Sequence, residues 1–124
     1  MTQPLAILLY ENAMPGSQLI ARFQDLGYRV QTLSDSRLLQ EVACQEKPMV
    51  IVADLFSQHT NVGIEIKGLK HNPETNHIPV IAFAERLTPE LEAAAQNAGA
   101  TLVVASVAVL AHLPQLLDQA LQVD

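Results

Sequence analysis

The stretch Pro48-Met49-Val50-Ile51-Val52-Ala53-Asp54-Leu55 decides how this chain folds. Residues 49–53 form an unbroken apolar run of strand length, without the alternation of a half-exposed strand. Such runs suit strands of a parallel sheet buried on both faces. Lys47-Pro48 ends the helical pattern before it, because the residue preceding a proline is pushed out of the helical region.

Outward from this run the same pattern recurs. Strand-length apolar runs lie at residues 5–10, 79–83 and 102–105, with a weaker β-prone run at 29–33. Between them are amphipathic segments with helical spacing: Leu19, Ile20, Phe23 and Leu26; Leu38, Leu39 and Val42; Leu91, Ala94, Ala95 and Ala98; and Leu113, Leu116, Leu117, Ala120 and Leu121. A less regular helix is expected around Val62, Ile66 and Leu69, where Ile64 leaves the stripe and Gly68 weakens it. Thr88-Pro89-Glu90 reads as an N-cap, an N1 proline and an acid in the first turn, with Gly99 closing the same helix. Ser34 or Asp35 can cap the second helix. Pro114 restricts the last helix to about residue 114 onward, since proline is tolerated only in a first turn.

Strict β-α alternation with short connections implies right-handed crossovers and a parallel sheet covered on both faces. Five such units predict a flavodoxin-like (βα)5 three-layer α/β sandwich with strand order 2-1-3-4-5, formed by residues 1–124 as one unit with no output domain. In that order the first and third strands are neighbours. The first, Ile7-Leu8-Leu9-Tyr10, ends in Glu11-Asn12 and the third ends in Asp54, so these side chains are expected over one crevice at the carboxyl ends of the strands.

At these strand ends the chain resembles, over its whole length, the receiver domain of bacterial two-component response regulators, in an atypical form. Ile7-Leu8-Leu9-Tyr10-Glu11-Asn12 stands at the place of the strand with the acidic pair, and Pro48 to Leu55 surrounds the phosphoacceptor position. The likeness continues in His77-Ile78-Pro79-Val80-Ile81-Ala82 and in Ala98-Gly99-Ala100 before the fifth strand. The resemblance implies that Asp54 is the phosphoacceptor equivalent and that Glu11, Asn12 and Asp54 form the acidic pocket, holding Mg²⁺ weakly if at all. It also implies a histidine kinase or a downstream signalling protein as partner.

Several positions depart from that family. Asn12 replaces an acid that usually ligands the metal, Ala84 replaces the hydroxyl residue closing the fourth strand, and Ser106 replaces the lysine closing the fifth. Val107 stands for the proline after it, and Val103 for an aromatic residue three positions before it. Phosphoryl transfer is mostly positioning and charge stabilisation, so a metal and a fixed cation carry much of the work. Asn12 removes one unit of charge from a Mg²⁺ site, and Ser106 supplies no positive charge; losing one preorganised contact costs about 3 kcal/mol. Ala84 has no hydroxyl to follow a phosphoryl group, which leaves phosphorylation little leverage on the fold. Arg86 is the nearest candidate for a substitute cation.

Composition narrows the function further. Seven Lys and Arg against 13 Asp and Glu give a net charge of −6, and the cations are scattered, so neither nucleic acid nor an anionic membrane is an expected partner. The lone Cys44 excludes an internal disulfide and is read as a buried helix residue. The first residues carry no basic n-region and no run reaches membrane-span length, which points to the cytoplasm. His59, His71, His77 and His112 lack a metal-ligand spacing, and no catalytic constellation stands out, so the chain is not expected to be an enzyme.

Three functions stay open. One is a stand-alone receiver acting through protein contacts, with phosphorylation weak or absent. The second is a working response regulator phosphorylated on Asp54; the third is a small-molecule sensor using the crevice above Glu11 and Asp54. An interaction edge is expected in the apolar strip of Val107, Ala108, Val109, Leu110 and Ala111, beside Gln115, Asp118, Gln119 and Gln122 of the final helix, for a second copy or another protein. The competing reading folds the strip under the last helix as core.

Overall fold

The computed structural model describes residues 4–10, 13–55 and 62–121, and of residues 13–16 the backbone alone. Its elements are β1 (Leu5–Leu9), α1 (Ala13–Asp25), β2 (Arg29–Leu33), a 3₁₀ turn (Ser36–Leu38) leading into α2 (Leu39–Glu46), β3 (Val50–Asp54), α3 (Val62–His71), β4 (Val80–Ala84), α4 (Pro89–Ala98), β5 (Leu102–Ala105), α5 (Ser106–Ala111) and α6 (Leu113–Leu121). The strands form one sheet in the order β2-β1-β3-β4-β5, and every pair is parallel. The expected α/β architecture and strand order are both present.

All residues of β1, β3 and β4 are buried, as their continuous apolar runs require. Their side chains alternate between two cores. Ile7, Leu9, Ile51, Ala53, Val80 and Ala82 face α2, α3 and α4. Ala6, Leu8, Val50, Val52, Ile81 and Phe83 face α1, α5 and α6. Burying a side chain of Phe83's size stabilises the fold by about 1.5–3 kcal/mol.

Local signals act where the sequence places them. Thr88 accepts a hydrogen bond from the Leu91 amide at 3.1 Å, Pro89 opens α4, and Gly99 ends it at φ 117°. Asp35 caps the 3₁₀ turn through the Arg37 amide at 3.0 Å, and Lys47 closes α2 in the left-handed region at φ 50°.

Other expectations need correction. Leu38 lies in the 3₁₀ turn and is 44% exposed, so Leu39 and Ala43 anchor α2 instead. Cys44 is only half-buried, because the neighbouring Ala43 takes the inward position. Ala94 faces solvent, leaving Ala95 as the buried contact of α4. Gly68 does more than weaken α3: a Cβ there would collide with the Gln40 carboxamide, so the glycine leaves room for that side chain against α3. Finally, residues 106–111 form a helix of their own. Pro114 cannot continue it, since its ring would clash with the Leu110 carbonyl four residues earlier, and the chain breaks at His112 before α6 begins.

Candidate functional site

Parallel strands bring their carboxyl ends to one edge of the sheet, and the fold positions the predicted site residues there. Asp54 is the last residue of β3, opposite Phe83 in the ladder. The ladder runs on past it, with the Leu55 amide donating to the Phe83 carbonyl at 2.8 Å, so the backbone at Asp54 is held on both sides. Asp54 is 6% exposed, a carboxylate sheltered at the sheet edge rather than an acid marking where the chain meets solvent. Among the described residues no buried side-chain nitrogen or oxygen lacks a hydrogen-bond partner.

Ala84 closes the neighbouring β4, one residue beyond Asp54's partner, and is likewise buried. Its methyl group offers no hydrogen bond. Ser106 follows β5 as the first residue of α5, two strands from Asp54, or roughly 10 Å at the usual strand spacing. A serine hydroxyl does not cross that gap. Arg86 lies in the exposed bend after β4. Glu11 and Asn12 fall outside the described residues, as does Gln122. Among the described residues no group of three or more His, Cys, Asp or Glu is placed to hold a metal ion, and no helix is long and apolar enough to cross a membrane.

Val103 is buried in the core against α2–α4. The strip after Ser106 divides. Val109 is fully buried beneath α6 in the core it shares with Phe83, so it belongs to the interior and not to an interaction edge. Val107 is 76% exposed, Leu110 is half-buried, and Gln115 and Gln119 face solvent. A helical turn places 107 and 109 on different sides, which resolves the competing readings residue by residue.

Several buried polar groups away from the strand ends were not anticipated. Gln40 donates to Glu65 at 3.1 Å between α2 and α3. Thr75 donates from Oγ1 to the Leu69 carbonyl at 2.7 Å. Lys70 passes beneath Gly99 and donates from Nζ to the Ile78 carbonyl at 2.7 Å; burial draws its ammonium below the ordinary lysine range. The glycines that make room for Gln40 and Lys70 were the available sequence signal. The three contacts tie α3 to α2 and to the loop before β4, so they brace one helical layer of the scaffold.

A comparison with family models gives no match, and neither does one with curated protein sequences. The likeness lies in the structure. A crystal structure of a protein from Chloroflexus aurantiacus assigned as a response regulator superposes with a TM-score of 0.89 at 14% identity, covering 97% of this chain and 98% of that one. The chemotaxis protein CheY4 of Vibrio cholerae gives 0.85 at 18% identity, over 96% and 99% of the two chains. The BeF3-activated N-terminal receiver domain of Klebsiella pneumoniae RstA gives 0.84 at 14% identity, over 96% and 99%. With this strand order, and at these scores over nearly the full length of each chain, the protein has the CheY-like receiver fold.

Proposed function

We propose that the chain is an atypical receiver domain of two-component signalling that works by contacting a protein partner, with phosphorylation of Asp54 weak or absent. The observation that carries this reading is Ala84. It sits at the end of the strand paired with Asp54, where a receiver switch needs a hydroxyl, and it is buried as a methyl group. A ligand shifts a conformational balance only through contacts that differ between the two states, and this position offers none. Ser106 adds to the effect, since no fixed cation closes β5 to offset phosphoryl charge.

A second reading rests on Asp54 itself, which is retained and sheltered at the ladder's end. In that case Asp54 accepts phosphoryl from a histidine kinase, with Mg²⁺ held by Glu11, Asn12 and Asp54. Manganese is bound in the response regulator Rcp1, another protein of this fold. NMR titration with Mg²⁺ and beryllofluoride separates the two. Weak binding, with shifts confined to the neighbourhood of Asp54, is the expected result. Large shifts spreading through β4 and β5 would establish a working switch. A metabolite that co-purifies and displaces from the same crevice would instead favour the sensor.

A further inference from the structure

We draw no further inference here: the strongest candidate, the groove between the last turn of α1 and the break that separates α5 from α6, has a lining of mixed polarity, and nothing in the structure shows what covers it.

Discussion

The two helical layers cover the same sheet by different means. On the α2–α4 side polar side chains tie the layer, two of them lying against glycines: Gln40 to Glu65, Lys70 to the Ile78 carbonyl and Thr75 to the Leu69 carbonyl. On the α1, α5 and α6 side the core is bulk apolar packing around Phe23, Phe83 and Leu113, with Phe23 and Tyr28 in edge-to-face contact at a centroid distance of 5.3 Å. Polar ties fix one geometry, because breaking them strands buried groups. Apolar packing tolerates a break such as that at His112, and the break is what leaves a groove. The braced layer holds one geometry, and the apolar layer accommodates a break in its helices.

The largest test of that contrast is Phe83→Ala. It removes the largest side chain that β4 buries against α1, α5 and α6, and should cost about 3–5 kcal/mol by chemical denaturation, since nothing polar on that side compensates. A loss under about 1 kcal/mol would mean the layer collapses around the cavity and is looser than packed.

Two glycines supply the next test, one from each layer. Gly27 ends α1 at φ 87° with open space around it, whereas Gly99 ends α4 at φ 117° with the Lys70 side chain against it. Alanine at Gly27 meets only the backbone penalty, about 1–2 kcal/mol. Alanine at Gly99 meets the same penalty and must also displace Lys70 from its carbonyl, so its cost should be greater by roughly 1 kcal/mol. Equal losses in the two variants would show that the Lys70 tether contributes nothing.

The smallest effect is expected at Tyr28. Its hydroxyl is held above the ordinary phenol value of 10.0 by burial, and further by the charge of Asp118. The folded state therefore keeps this proton to a higher pH than the unfolded state does. The resulting stability is fully present below the unfolded value and is lost as pH rises through the raised folded one. Tyr28→Phe should flatten that alkaline decline in thermal melts, and Asp118→Asn should reduce it only in part, because burial is the larger cause.

The strands were legible because a continuous apolar run has few other uses, and their order then placed Asp54, Ala84 and Ser106 along one edge. Local rules were enough for α4, where Thr88, Pro89 and Gly99 each act within a turn. They were not enough for α5. Six residues are too few to show a period, so Val107 and Val109 read as one strip until the helix separated them onto different sides. Leu26 satisfied its stripe in sequence, but α1 ends at Asp25 and Leu26 lies in the turn beyond it, 42% exposed. Lys70 and Glu65 looked like ordinary helix charges, because their partners lie on other elements. Gly68 was read as a weakness of the helix, whereas it also leaves room for the Gln40 carboxamide.

The strand order also bears on solubility. β2 is the outermost strand on one side, and it is the least apolar of the five, with Arg29 and Thr32 exposed and no residue fully buried. An open edge of unpaired backbone groups is a template for accretion by other chains, and a short strand carrying a cation is a common guard against it. The strands that would aggregate most readily, β1 and β3, are each flanked on both sides and never reach the rim. Growth of the sheet at the β2 edge is thereby disfavoured.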